Sequence, residues 1–416
     1  DILASRMISL MLMNYFLDLI AAVPALLAWR GAVIPDSGSM AFFLIVFLAL
    51  PFFALALSSV FGWLLSLLTR RIKRKSLVTT VFSLILLLAY MLGISRLNTA
   101  MLALVEKAES AAKGLGAVLP VYRAGAAIAD ADAAKLFTTL AWMIVPFVIV
   151  YLVLSATFIK TATVKRGFAA AEYTGGIDRP RSGRAALFTK ELRRFTSSSA
   201  YMLNAGLGAA LMVIAAAVLL IKMQTLREVM GALQGLADYI QPVMILVVCA
   251  ANGMITVSAP SISIEGRSIW VTRSMPVGTK DILLAKLLLH IVIAAPATLV
   301  FSSAAAVVFK ARGALLPLML ITPLVFTVFE ALTGLIANIR HPGLEWVNET
   351  QAVKSNVSVL IGLALGWAAA MATGALMLIM PAWVAIAAGT AALVLVCLLE
   401  LRWLMSGGVR RYEQLS

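Results

Sequence analysis

The sequence predicts an all-α polytopic membrane protein, and three observations carry that reading. Of 416 residues, 62% are hydrophobic and only 13% charged, about half the charge of an ordinary soluble domain, and mean hydropathy is +1.00. Apolar runs long enough to cross a ~30 Å hydrocarbon core recur along the whole chain. None of them shows the strict alternation of a transmembrane barrel, and a segment in lipid must satisfy its own backbone, so each run is read as a helix.

Taken in order, the runs lie at about 7–29, 40–68, 77–95, 136–159, 201–221, 239–260, 284–309, 314–338, 357–379 and 382–404. That is about ten transmembrane helices. The formal net charge is +15, and its distribution explains it as topology rather than as a nucleic-acid surface. Alternate loops divide the 34 Lys and Arg residues into 24 on one side and 10 on the other. The richer side is expected to be cytoplasmic. Both ends of the chain, the 160–200 linker and the 261–290 segment then face the cytoplasm of a plasma or inner membrane, and the long 96–135 loop faces outward. Cys249 and Cys397 both fall inside apolar runs, which argues against a structural disulfide. The chain opens on Asp1 without a Met or the charged n-region of a signal peptide, and its start is read as truncated.

An internal repeat supports that reading. Asp281-Ile282-Leu283-Leu284-Ala285-Lys286 nearly repeats Asp1-Ile2-Leu3-Ala4-Ser5-Arg6, and Ala294-Ala295-Pro296-Ala297 answers Ala22-Val23-Pro24-Ala25. Pro51 and Gly62 stand 272 residues before Pro323 and Gly334, and Lys75-Ser76 corresponds to Lys354-Ser355. The shared order implies a parallel duplication. Residues 1–160 are read as the last four helices of a six-helix first domain whose first two helices are absent, 161–200 as a cytoplasmic linker, and 201–416 as a second domain of six. Within the linker, Gly175-Gly176, Pro180 and Gly183 mark a flexible crossing, and Ala185 to Phe195 reads as an amphipathic helix. Leu187, Phe188, Leu192 and Phe195 share its apolar face, with Lys190, Arg193 and Arg194 opposite, the pattern of a helix lying in the headgroup plane.

The most informative stretch is Ser261 to His290, a polar segment between two apolar runs. Glu265, Gly266, Arg267, Trp270, Arg273 and Pro276 give it charges and an aromatic anchor suited to a cytoplasmic partner, followed by the Pro276-Val277-Gly278 stop. Hydrolytic chemistry of its own is not expected. There is no G-x-x-x-x-G-K-[ST] phosphate loop, no nucleophile elbow, and neither His290 nor His341 has a nearby Cys at metal-ligand spacing. Asp18, Asn252 and Glu330 lie inside apolar runs and are the intramembrane polar candidates, whereas Glu400 sits near a helix end. Gly362-Leu363-Ala364-Leu365-Gly366 offers a small face for close helix contact.

The S-I-S-I-E-G-R-S-I-W segment with R-S-M-P-V-G-T-K-D-I-L-L-A-K, the F-T-K-E-L-R-R-F-T-S-S-S-A-Y-M-L-N stretch and V-N-E-T-Q-A-V-K-S-N carry a resemblance. The sequence resembles the permeases of type 2 ABC exporters, in the bacterial group where two six-helix domains are fused and the ATPase is a separate chain. This likeness implies a coupling helix at about 262–274, an interfacial helix including Phe188, Leu192, Arg193, Arg194 and Phe195, and two cytoplasmic ATPase copies as partners. It further implies that ATP and Mg bind in those partners, with no cofactor in this chain, and that the unidentified substrate is apolar or amphipathic, in a membrane-lipid setting without nucleic acid. The short Met380-Pro381 connection departs from the elaborated outward loop common in such permeases. Two other readings stay open: a stand-alone proton-coupled carrier using Asp18 or Glu330, and a non-transporting membrane scaffold.

Overall fold

The computed structural model describes residues 2–32, 36–69, 75–106, 119–163, 182–232 and 237–415. Among these residues every regular element is helical. The basic cluster at 70–74, Gly175-Gly176 and Pro180 of the linker, and the middle of the 96–135 loop lie outside the described residues. The chain divides into two compact units, Asp1–Ile177 and Asp178–Ser416.

Unit 1 contains α1 (Ile2–Ala32), α2 (Ser37–Thr69), α3 (Lys75–Glu106), α4 (Leu119–Ala129) and α5 (Ala133–Thr163), with α2 packed against each of the other four. Its prolines Pro24, Pro51 and Pro146 lie inside helices, which spans in a bundle tolerate because neighbours take up the freed backbone groups. The expected 96–135 loop is largely helical, since α3 runs on to Glu106 and α4 packs on α5 and α2. The turn into α5 uses Ala131 at φ 49° and the Asp132 carboxylate, which accepts the N–H groups of Ala134 and Lys135 at 2.8 and 3.3 Å. A side-chain oxygen at a helix start satisfies donors that have no partner within the helix.

Unit 2 contains α6 (Gly183–Ser197), α7 (Ser199–Ala205), α8 (Leu207–Ile221), α9 (Met223–Ala232) and α10 (Ala237–Asn252). A 3₁₀ turn (Ser263–Ser268) and α11 (Ile269–Arg273) follow, then α12 (Thr279–Val308), α13 (Leu315–Arg340), α14 (Glu349–Lys354), α15 (Val357–Leu376), α16 (Ala382–Trp403) and, after a π-type turn, α17 (Val409–Glu413). The core is built on α12 and α13: α12 packs against α8, α13 and α6, and α13 packs against α16, α15 and α10. Gly362 faces the Cα of Gly334 and Gly366 faces Glu330, so the small residues of α15 do bring it close to α13.

Eight helices among the described residues are long and apolar enough to cross a membrane, and nine if a bent pair is one span. The structure therefore describes a membrane-embedded helical protein, and two of the ten expected runs are not single unbroken helices. The run at 201–221 is α7 plus α8, bent by 53° at Gly206, where a Cβ would stand 2.8 Å from the Phe195 ring. The run at 239–260 is helical only to Asn252, and its 16 helical residues rise about 24 Å. Its remainder forms part of the site described next.

Candidate functional site

The helix α10 stops where Gly253 enters, and the chain from Ile255 to Gly266 is non-helical or 3₁₀ yet buried throughout. Buried irregular backbone is viable only where its N–H and C=O groups find partners. Here each neighbouring element supplies one. The Thr256 N–H donates to the Ala205 carbonyl at 3.0 Å, ahead of the α7–α8 bend. The Tyr201 hydroxyl donates to Val257 O at 2.6 Å and the Ser358 hydroxyl to Ala259 O at 2.7 Å. The Ser258 N–H donates to His290 Nδ1 at 3.2 Å, which places the imidazole proton on Nε2. Asn338, near the end of α13, does most. Its Oδ1 accepts from the N–H groups of Ile262 and Ser263 at 2.7 and 3.1 Å, while its Nδ2 donates to Ser263 Oγ and Ser358 Oγ at 2.6 and 3.0 Å.

At the basic end of the unit this segment runs into a buried ion cluster. Glu265 Oε1 receives Arg194 Nη1 at 2.6 Å, Lys286 Nζ at 2.7 Å and Lys190 Nζ at 3.4 Å. Glu191 takes Lys286 on one oxygen at 3.2 Å and Lys190 on the other at 3.2 Å. Lys286 also donates to Ser261 O at 2.8 Å, and Lys190 to Thr272 Oγ1 at 2.8 Å. Three cations thus surround two acids, with the side chains of Lys286 and Glu265 fully buried. Burial alone would raise the Glu265 carboxyl, but Lys286, then Arg194 and Lys190, outweigh it and hold it at about 2, well below the usual carboxylate range. Burial likewise opposes the Arg194 charge, and Glu265 and Glu191 together raise its pKa above the ordinary arginine value. The cluster ties α6, the 3₁₀ turn and α12 together through charge.

These positions correct two expectations. Glu265 and Gly266 are buried and so do not present themselves to a partner. Gly266 instead takes φ +52° beneath Trp346, whose ring would lie 2.9 Å from a Cβ there and whose indole N–H donates to Ser263 O at 2.8 Å. On α6 the buried face is Leu187, Glu191 and Phe195, with Phe188 and Leu192 half-buried and only Arg193 of the basic group fully exposed. Lys190 and Arg194 turn inward to the carboxylates. Lys190, Glu191 and Arg194 of α6 therefore form one wall of an ion cluster, while Arg184 and Arg193 stay exposed.

What remains outward is the tip. Arg267, Trp270, Arg273 and Pro276 are exposed, Trp270 to 66%. Arg273 donates to the carbonyls of Glu413 and Leu415 in the C-terminal segment, and Thr279 Oγ1 donates to Glu413 Oε1 at 2.7 Å. Trp270, Arg273, Tyr412 and Glu413 border a groove of about 440 Å³ at this end.

The intramembrane candidates separate. Asp18 lies half-buried on α1 of unit 1, with Oδ2 unpartnered. Asn252 and Glu330 belong to unit 2. The Asn252 Nδ2 donates to Thr298 Oγ1 and Thr327 Oγ1 at 2.8 and 2.6 Å, holding the end of α10 to α12 and α13. Glu330, 3% exposed, has Oε1 without a partner. It sits in a hollow between Gly366, where any Cβ would overlap its carboxylate, and Gly253, where a Cβ would be 3.3 Å from Oε1. Among the described residues no group of three or more His, Cys, Asp or Glu could hold a metal ion.

Sequence reasoning missed Glu191, Lys286, Asn338, Tyr201 and Trp346. Glu191 had a readable signal, since it shares the four-residue spacing of Leu187 and Phe195. Lys286 looked like the ordinary charged approach to a span. No protein-family model, curated protein or solved structure matches this chain.

Proposed function

We propose that this chain is the transmembrane permease subunit of an ATP-driven exporter of the ABC type, moving an apolar or amphipathic substrate outward. ATP is bound and hydrolysed in a separate cytoplasmic chain, expected in two copies, and the basic end of unit 2 faces the cytoplasm by the distribution of Lys and Arg. The observation that carries the reading is the shape of the 262–274 segment. Its tip exposes Trp270, Arg267 and Arg273, while its root, at Glu265, is fixed to α6 and α12. A lever needs both a free contact surface and a stiff attachment, and few surface turns have the second.

The test is cross-linking from position 270. A photoreactive residue there, in native membranes, should capture a protein carrying a phosphate loop, and Arg267→Glu should lower ATP-driven transport while leaving the chain folded. Capture of no such protein, with transport intact in its absence, would remove the reading. Glu265→Lys would not be a fair uncoupling variant, because it would place a fourth cation in a buried cluster. A second reading is favoured by the buried, unpartnered Glu330 carboxylate. A proton-coupled carrier predicts transport without an ATPase and its loss in Glu330→Gln or Asp18→Asn.

A further inference from the structure

Two carboxyl groups of unit 2, Glu330 buried in its core and Glu400 half-buried beside it, have no basic partner among the described residues. Glu400 on α16 accepts a hydrogen bond from Thr333 Oγ1 at 2.8 Å on one oxygen, and its other oxygen is buried without a partner. Glu330, one turn before Thr333 on α13, lies within electrostatic reach of Glu400 and also has an unpartnered oxygen. Among the described residues no Lys, Arg or His forms an ion pair with either acid. A buried carboxyl without a cationic partner is held neutral by protonation until a positive group arrives to share its charge, and acids so placed within a membrane domain are candidates for such a role.

The surroundings say what could arrive. A groove of about 540 Å³ opens between α13, α15 and α16, with Glu400 in its wall. The rest of the lining is largely apolar and aromatic: Ile336, Ile361, Leu365, Leu399 and Trp403. Small-molecule sites have this make-up, an apolar enclosure with a few placed polar groups. The basic side chains at the groove are Arg340 and His341, both exposed. Arg340 is seven residues beyond Thr333, about 10 Å along the helix, and lies over the Trp403 ring at 4.8 Å. It forms no ion pair with Glu400 and shows that the Trp403 face accepts a cation.

We propose that this groove binds an amphipathic organic cation, with Glu400, which lines it, as the direct counter-charge once the cation is bound, and the leucine and isoleucine side chains holding the apolar body. The inference deepens the export reading by naming the substrate class and rests on it in that respect, but binding itself requires no ATPase.

The experiment measures binding of tetraphenylphosphonium and of tetraphenylborate, ions of one shape and opposite charge, to the purified full chain in lipid nanodiscs. The expected result is saturable binding of the cation, at least about tenfold tighter than the anion, since one net charge contact of ~1.4 kcal/mol is tenfold. Glu400→Gln, which keeps an acceptor for Thr333, should weaken the cation by at least about tenfold, and Glu330→Gln by less. Asp18→Asn should leave it unchanged. Leu365→Trp fills the groove from a half-exposed position and should abolish binding even if Glu400→Gln proves unstable. Equal affinity for the two ions, tighter binding of the anion, or cation binding unaltered in Glu400→Gln and Leu365→Trp would each overturn the proposal. Intact cation binding in a chain that captures no phosphate-loop partner would instead overturn the export reading alone.

Discussion

The convergence of three cations on one Glu265 oxygen makes a quantitative prediction. Glu265→Gln leaves Lys286, Arg194 and Lys190 around Glu191 alone, so the cluster passes from one excess positive charge to two, in a site where the Lys286 side chain is fully buried. Removing one partner of a buried ion pair costs about 3–5 kcal/mol. For a body of some 150–250 residues each kcal/mol moves Tm by roughly 2–4 °C, so a fall of about 6–20 °C is expected. Lys286→Met leaves two acids with two cations and should cost less. In the double variant the two losses should not add, because each removes part of the same interaction, and a coupling of about 0.5–3 kcal/mol is expected. Cys249 and Cys397 are both free and buried, so a thiol-reactive dye added during a thermal ramp reports unfolding of this unit directly. Single-variant losses that add to within about 0.3 kcal/mol would refute the idea that Glu265 and Lys286 act on one another.

The pH dependence follows from the same carboxylate. Its folded pKa, about 2, lies below the unfolded value of about 4.3, so its contribution is fully present above about pH 4.3 and is lost as pH falls towards 2. The stability difference between the wild type and Glu265→Gln should therefore be flat from pH 8 to 5 and shrink below about pH 4, as read by intrinsic tryptophan fluorescence during thermal ramps. Gly266→Ala should cost about 1–3 kcal/mol from the positive φ alone and more from the Trp346 clash, whereas Gly313→Ala, with φ +56° but open space around it, should cost only the backbone part. Asn338→Leu strands the N–H groups of Ile262 and Ser263, at about 1–3 kcal/mol each, and hydrogen exchange should rise first at those two amides. Trp270→Ala, at an exposed tip, should leave Tm within about 2 °C, since surface changes of this kind stay near 0.5 kcal/mol.

How much of this was legible in the sequence depended on whether the relevant quantity was local. Span existence was legible because hydrophobic length is a property of a single run, and α12, α13, α15 and α16 fall where the runs lie. The end of α10 was not. The residues from Met254 to Pro260 are apolar enough to continue a helix, and what unwinds them is outside help: Ala205, Tyr201, His290 and Ser358 take up the freed backbone from three other elements. The caps were readable in part. Ser198, Asn348 and Asn356 lie in the stretches that carried the family resemblance, and each accepts an N–H at the start of α7, α14 or α15. The charges of the 261–290 segment were visible, but their direction was not, because whether Glu265 faces a partner or Lys286 is decided by a lysine 21 residues further on.

That inversion of Glu265 sharpens what the segment is able to transmit. A loop whose charges all faced outward would be held to the bundle by its two chain ends, and a push on Trp270 would be spent in bending it. Here the turn is anchored at Glu265 to α6 and α12, at Ser263 to Asn338 of α13 and to Trp346, and at Arg273 to the C-terminal segment. Displacing the tip must therefore either move α6, α12 and α13 together or break buried ion pairs and hydrogen bonds worth several kcal/mol. The same anchoring reaches the interior, because the irregular chain from Ile255 to Pro260 leads from the ion cluster back to Asn252, whose amide holds α12 to α13 beside Glu330. A rigid root at the basic end and a buried carboxyl deeper in the unit are thus connected by about a dozen residues of chain whose backbone is tied to Ala205, Tyr201, His290, Asn338 and Ser358. In the export reading this is the physical reason that a partner acting on three exposed side chains could alter the environment of a cation in the groove. A weakened anchor, as in Asn338→Leu, should then reduce transport driven by ATP more than it reduces equilibrium binding of tetraphenylphosphonium.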